Sequence, residues 1–265
     1  MFCVFQERIV ACCLEKGIAI YSPHTSYDTL EGGVNDWLIQ AFDGTNVIPL
    51  QPSLQAPRYS HQVVIRHNQG GKVEEILENS YVLEILNKTG ISYVNADESR
   101  TVLCQEKDLP SILSISSHQP LQFTITKLEQ TPIPGHGTGR KCDLKSPITI
   151  REAVNKVKCH LKLPYIRLAL AHNTNEDSPI NSLAVCAGSG SSVLRGTKVD
   201  LWLTGEMSHH EVLDATHSGT SVILTDHSNS ERGFLLQLKP RLVELLKGKV
   251  QVIVSEKDRD PLQVI

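Results

Sequence analysis

Residues 199–224 read VDLWLTGEMSHHEVLDATHSGTSVIL, two apolar runs around a helical stretch. Val199-Asp200-Leu201-Trp202-Leu203 and Ser221-Val222-Ile223-Leu224 are short, apolar and partly β-branched, as buried strands are. Between them, Ser208 to His217 suits a helix. The same alternation continues on either side. Downstream lie a helix carrying Leu235, Leu238, Leu242 and Leu245, kinked or restarted at Pro240, and a final strand Val250-Gln251-Val252-Ile253-Val254. Upstream lie strands over Ile166 to Ala171 and Leu183 to Cys186, and a helix through Val154, Val157 and Leu161 that stops before Pro164. Thr149-Ile150-Arg151-Glu152 opens that helix as a capping box, whose side chains satisfy orphan backbone amides. Alternating strands and helices predict α/β layering with a largely parallel sheet.

Further upstream the period changes. Val63-Val64-Ile65 reads as a strand, and Val73, Ile76, Leu77 and Tyr81 form a helical stripe. Ile91-Ser92-Tyr93-Val94 and Thr101-Val102-Leu103-Cys104 flank a turn at 95–98. Leu109, Ile112 and Leu113 mark a short helix, and Leu121, Phe123 and Ile125 alternate with polar residues. Residues 61–128 therefore spell βαββαβ, the order of a ferredoxin-like unit. Residues 46–60, with Pro49, Pro52 and Pro57, read as a linker. Pro132 to Pro147, with Gly135, Gly137 and Gly139, reads as a flexible return. The first stretch suits a helix from Phe5 to Lys16 ended by Gly17. It continues as a strand Ile18-Ala19-Ile20-Tyr21, a loop with His24 and Asp28, and a helix through Val34, Trp37, Leu38 and Phe42.

Composition narrows the function. With 26 Lys+Arg against 29 Asp+Glu and a net charge of −3, the chain carries no electrostatic footprint for nucleic acid. No run approaches the eighteen apolar residues of a bilayer span, and a charge at Glu7 comes too early for a signal peptide. Seven cysteines, an odd number without C-x-x-C spacing, suit buried reduced thiols rather than a zinc ribbon or disulfide framework. A soluble intracellular protein is expected.

Ligands of layered α/β proteins sit outside the carboxyl ends of the strands. Three groups fall there: His24-x-x-x-Asp28, Thr204-Gly205-Glu206 and Asp226-His227. Their imidazoles and carboxylates suit zinc, manganese or iron(II). Plainer readings compete. Asp28 is equally placed to cap a loop or helix, and Ser228-x-x-Glu231 matches a second capping box. His209 and His210 point about 100° apart on a helix, which favours a surface role or one behind the ligands. Gly188-Ser189-Gly190-Ser191-Ser192-Val193 lacks the third glycine of a dinucleotide fingerprint and the lysine of a P-loop, and reads as a strand-to-helix connection.

Taken together, three segments resemble one family. Ser22-Pro23-His24-Thr25-Ser26-Tyr27-Asp28 with Gly33-Val34-Asn35-Asp36-Trp37-Leu38 is similar to its central motif. Leu203-Thr204-Gly205-Glu206-Met207-Ser208-His209-His210 and His227-Ser228-Asn229-Ser230-Glu231-Arg232-Gly233-Phe234 are similar to its C-terminal motifs. The family is that of the NIF-three-like proteins, also labelled type-two GTP-cyclohydrolase-like. The resemblance implies a two-part layered α/β protein with an inserted ferredoxin-like unit. Residues 1–50 would be the remainder of the first half, 61–128 the insertion and 145–265 the second half. It further implies a homo-oligomer with a two-metal centre, in which Asp28, His227 and Glu231 are metal ligands and His24 lies beside the site. The family's upstream His-His-Pro motif does not occur in this sequence, which predicts an incomplete ligand set and a chain that is a fragment or short isoform.

Two functions follow from the resemblance. One is a regulatory or adaptor protein of cytoplasm and nucleus, working in transcription regulation through protein partners rather than direct nucleic-acid contact. The other is a two-metal-dependent hydrolase of a nucleotide-like or phosphate substrate, for which no catalytic residue beyond the metal ligands can be named.

Overall fold

The computed structural model describes residues 4–67, 84–85, 88, 90–95, 99–115, 121–262 and 264 of the 265. In chain order, the first elements are α1 (Val4–Glu15), α2 (Ser26–Thr29), α3 (Val34–Ile39), β1 (Gly44–Gln55) and β2 (His61–His67). Next come β3 (Gly90–Val94), β4 (Arg100–Cys104), α4 (Leu109–Leu113), β5 (Leu121–Lys127), β6 (Thr131–Thr149), α5 (Ile150–Leu161), β7 (Arg167–Ala169) and β8 (Pro179–Ser189). The last are α6 (Ser191–Leu194), β9 (Leu201–Glu206), α7 (His209–His217), β10 (Ser221–Leu224) and α8 (Leu235–Leu245). The chain divides into two compact units, Met1–Ser53 with Pro134–Ile265, and Leu54–Ile133.

The first unit is built on a six-stranded sheet in the order β1-β6-β8-β9-β10-β7. Its centre is parallel, β8 to β9 to β10, while β6 runs antiparallel to β8 and β7 antiparallel to β10. The expected largely parallel sheet is thus mixed. The strands at 199–224 read as near-continuous apolar runs because both faces are covered, and alternate residues serve opposite faces. Leu183, Val185, Leu201, Leu203 and Ile223 join Trp37, Leu38, Ile150 and Val157 in one core. Ala184, Cys186, Trp202, Val222 and Leu224 join Leu194 and Ala215 in the other. The Thr149 capping box forms, Thr149 Oγ1 accepting from the Glu152 amide at 3.1 Å and Glu152 Oε2 from the Thr149 amide at 2.7 Å.

Of the two segments expected to be irregular, 132–147 lies wholly within β6 and 46–55 within β1, while 56–60 is irregular as expected. The prolines of β1 are tolerated because β1 ends the sheet, where a missing donor breaks no ladder. At Gly137 strands β6 and β1 approach closely: a Cβ there would lie 2.3 Å from the Gln51 carbonyl oxygen and 2.7 Å from Pro52 Cα. Arg140, 1% exposed, organises the glycine run. Its guanidinium donates to the carbonyls of Gly135, Gly137 and Gly139 and pairs with both oxygens of Asp36, at 2.5 and 3.0 Å. Conversely, the strands expected at 18–21 and 250–254 are absent. Neither stretch pairs with a strand among the described residues, and Tyr21 and Ile253 are 84% and 73% exposed.

The second unit carries a four-stranded sheet in the order β3-β4-β2-β5, with antiparallel pairing throughout. Val63 faces Val102 and Ile125 across the sheet, and Val63, Ile65, Val102, Cys104, Ile112 and Leu121 form its core. This arrangement is compatible with the βαββαβ reading. The helix expected through Val73 and Tyr81 lies outside the described residues. Among the described residues, no helix is long and apolar enough to cross a membrane.

Candidate functional site

The carboxyl end of β8 and the segment that follows β10 open onto a cleft of about 830 Å³, lined by His24, Asp28, Gly188, His227, Glu231 and Arg232 among others. All of these belong to the first unit. Asp28 sits in the single turn α2 and does not cap a helix. Two features fasten that turn. Asn35 Nδ2 donates to the Asp28 carbonyl at 3.0 Å, and the Tyr27 ring packs against Phe234 with centroids 5.5 Å apart. Gly33 is required beside it, since a Cβ would fall 2.1 Å from the Tyr27 carbonyl oxygen.

His227 follows β10 through Asp226, whose left-handed backbone (φ +68) turns the chain, and whose carboxylate pairs with Arg167 away from the cleft. Two 3-10 turns, Ser228–Ser230 and Arg232–Phe234, then bring Glu231 back to the cleft. The capping box proposed for Ser228 and Glu231 does not form. The Ser228 hydroxyl donates instead to Asp260 at 2.7 Å and accepts from Arg232 at 2.9 Å, leaving Glu231 without a capping task. His227 Nδ1 lies 2.7 Å from Glu206 Oε1, and its Nε2 lies 3.5 Å from Glu231 Oε1.

Burial dominates the electrostatics. It holds the Asp28 carboxyl above the ordinary aspartate range, against the opposing pull of His24 and His227. Burial likewise raises Glu231, opposed by His227 and reinforced by the negative charges of Asp28 and Glu206. The hydrogen bond to Glu206 is the largest influence on His227 and raises its imidazole. Cys186, at the cleft floor, is pushed up to about 12 by burial and by the carboxylates of Asp28 and Glu231, and stays a thiol.

The floor itself is backbone. Gly188 adopts φ +66, and a Cβ there would sit 2.7 Å from Glu231 Oε1 and 3.1 Å from His227 Nε2. Three buried polar side chains hold this stretch. Asn35 Oδ1 accepts from the Ala187 amide at 2.9 Å, Ser230 Oγ from the Gly188 amide at 2.7 Å, and Thr204 Oγ1 from the Gly190 amide at 3.0 Å. Thr204 belongs to one of the three groups expected at the strand ends, whereas Asn35 and Ser230 carry no expected role of their own, although each lies inside a family-like motif. A serine or asparagine in a motif announces no role until its partner is known.

Of the residues singled out, Asp28, His227 and Glu231 line one cleft with His24, whereas His209 and His210 are exposed on α7 and do not line it. The glycine stretch is the plain connection from β8 to α6. The donor chemistry, imidazole nitrogen and carboxylate oxygen, is that of a divalent cation site of borderline hardness. Among the described residues, no group of three His, Cys, Asp or Glu side chains is assembled tightly enough to hold an ion as it stands.

The chain matches relatives over nearly its whole length. It is 40% identical to NIF3-like protein 1 of Bos taurus, over 98% of this chain and 72% of the relative. It is 32% identical to the NGG1-interacting factor 3 of Saccharomyces cerevisiae, over 98% and 66%. Its fold resembles the crystal structure of a Bacillus cereus protein related to NIF3, with a TM-score of 0.61 at 20% identity, over 97% of this chain and 76% of that one. The Staphylococcus aureus protein SA1388 gives a TM-score of 0.64 at 19% identity, over 97% and 75%. A family model, Duf34/NIF3 (NGG1p interacting factor 3), matches residues 3–261. With the motifs around Asp28, Glu206 and His227 all inside that span, the chain belongs to the DUF34/NIF3 family.

Proposed function

We propose that this protein is a divalent-metal-binding regulatory or adaptor protein that acts through protein partners, in transcription regulation. The observation that carries the metal half of this reading is the meeting of Asp28, from near the start of the chain, with His227 and Glu231 in one cleft. Asp28, His227 and Glu231 would hold zinc, manganese or iron(II). The partner half is supported by the family's description and by the name of the yeast relative, an NGG1-interacting factor. The near-neutral charge favours protein rather than nucleic-acid contacts, and the reading extends to self-association and to a place in cytoplasm or nucleus. Elemental analysis of the purified chain tests the first half. The expected result is bound Zn, Mn or Fe that is lost in Asp28→Asn and His227→Ala. Proximity labelling in cells tests the second half: transcription-regulator proteins are expected, and recovery of copies of this chain alone counts against an adaptor role.

A second reading, a metal-dependent hydrolase of a nucleotide-like or phosphate substrate, is favoured by one observation. Two carboxyls in the cleft, Asp28 and Glu231, are held above their ordinary range by burial, as acid–base groups in working sites often are. A bound cation would supply a water of lowered pKa. Assays on nucleotides with Mn²⁺ or Zn²⁺ decide it: no turnover that Asp28→Ala abolishes removes this reading.

A further inference from the structure

The cleft's carboxylates and imidazole come from segments about two hundred residues apart in sequence, and something must set their spacing. Two fully buried polar side chains meet on the backbone that separates them. Asn35, 1% exposed, spans from the Asp28 carbonyl (3.0 Å) to the Ala187 amide (2.9 Å). Ser230, with no exposed surface, spans from the Gly188 amide (2.7 Å) to the His227 carbonyl (2.7 Å). Consecutive amides at the end of β8 are therefore read by two side chains. One is tied to the segment bearing Asp28, the other to the segment bearing His227 and Glu231. Every buried polar atom of this bridge is paired, and no described buried side-chain nitrogen or oxygen lacks a partner.

A buried amide and hydroxyl in these positions are costly to desolvate, but an apolar pair of similar size would leave the Ala187 and Gly188 amides and the Asp28 and His227 carbonyls without these partners. Besides satisfying those groups, the polar pair controls distance. Each hydrogen bond fixes a carbonyl belonging to the cleft-bearing turn against the same strand end, to within the tolerance of hydrogen-bond geometry. We propose that Asn35 and Ser230 are positioning residues that, through the Ala187-Gly188 backbone, set the separation of Asp28 from His227 and Glu231, and thereby the affinity for a divalent cation. The inference rests on the metal-binding reading above. Neither residue touches the cation; both act on the groups that would.

The test is Mn²⁺ binding by the full chain, followed by calorimetry and by the EPR signal of free Mn²⁺, in Asn35→Ala, Asn35→Asp and Ser230→Ala. Val157→Ala, a core truncation remote from the cleft, serves as the control for general loss of stability. Loss of such outer partners typically weakens metal binding by roughly 10–100-fold. That weakening is expected in the Asn35 and Ser230 variants, while Val157→Ala keeps the wild-type affinity despite a lower Tm. Asn35→Asp, which keeps the acceptor for Ala187 but loses the donor to Asp28, is expected to be weakened as well. A folded Ser230→Ala or Asn35 variant with wild-type affinity overturns the inference, as does equal weakening in Val157→Ala. If both Asn35 variants fail to fold, the Ser230→Ala result decides. An intact chain that binds neither Mn²⁺ nor Zn²⁺ removes the metal reading itself, a failure distinct from that of the positioning role.

Discussion

Glu206 Oε1 lies 2.7 Å from Nδ1 of His227, which turns the other ring nitrogen toward Glu231, 3.5 Å away. One carboxylate orients the imidazole while the second shares its open side, the arrangement by which an outer carboxylate fixes the tautomer of a metal-binding histidine. Glu206→Gln replaces the charged acceptor of the bond that most raises His227 with a neutral one and so weakens that influence. The imidazole pKa is then expected to fall, read by NMR titration of the ring. Because the folded value is raised above 6.5, the Glu206–His227 contribution to stability is present below that pH and lost as pH rises through the folded pKa. The stability gap between wild type and variant should therefore narrow on going from mildly acidic to alkaline buffer.

Asp28 is expected to trade stability for function. Its carboxyl is raised above 3.8 by burial, so in the metal-free protein its ionised form at neutral pH opposes folding. The sign is opposite to that of a salt-bridged carboxylate: the penalty is absent below 3.8 and grows as pH rises through the folded pKa. Asp28→Asn should thus raise Tm by a few degrees at pH 7 in the presence of chelator and lose the advantage in acid, while binding less metal. A lower Tm at pH 7 contradicts this.

Gly188→Ala is expected to cost more than its backbone strain. At φ +66 the left-handed conformation alone costs an alanine roughly 1–2 kcal/mol. Its Cβ would also press on Glu231 Oε1 at 2.7 Å and on His227 Nε2 at 3.1 Å. Gly196, at φ +80 with nothing within 4 Å of a Cβ, is the matched control. The difference between the two alanine variants in urea denaturation isolates the crowding at the cleft floor; equal losses would show that the floor gives way freely.

Asp36→Ala leaves Arg140, 1% exposed, without its carboxylate partner. Removing one member of a buried pair typically costs about 3–5 kcal/mol, and the carbonyls that still accept from Arg140 favour the lower end. Chemical denaturation measures it; a loss within that of an ordinary surface substitution, about 0.5 kcal/mol, would show that the carbonyls alone satisfy the guanidinium.

Acid sensitivity should appear at α7. Glu211 is held down at about 2, first by the Ser208 hydroxyl and amide that complete its capping box. With its folded value below 4.5, the contribution is present above that pH and lost as pH falls toward about 2. Glu211→Gln is expected to flatten this part of the acid-unfolding curve, followed by the Trp202 fluorescence of the neighbouring core.

Legible along the chain were the covered strands at 183–186, 201–203 and 221–224 and the capped start of α5. Those features are local: a run such as Ser221-Val222-Ile223-Leu224 is apolar on both faces wherever it folds, and Thr149 with Glu152 caps a helix using its own backbone. The tertiary structure decided everything that needed a partner from afar. The glycines and prolines of β1 and β6 look like breakers until the edge position of β1, the close approach at Gly137 and the guanidinium of Arg140 give them a ladder. Ile18-Ala19-Ile20-Tyr21 looks like a strand, but it pairs with none among the described residues, and the Ile18 amide donates back to the Cys13 carbonyl at 2.8 Å. At the cleft the motifs nominated Asp28, His227 and Glu231. The pairing of Glu206 with His227 and the grip of Asn35 and Ser230 on the end of β8 depend on hydrogen bonds between residues 21 to 152 positions apart, which no pattern of spacing along the chain encodes.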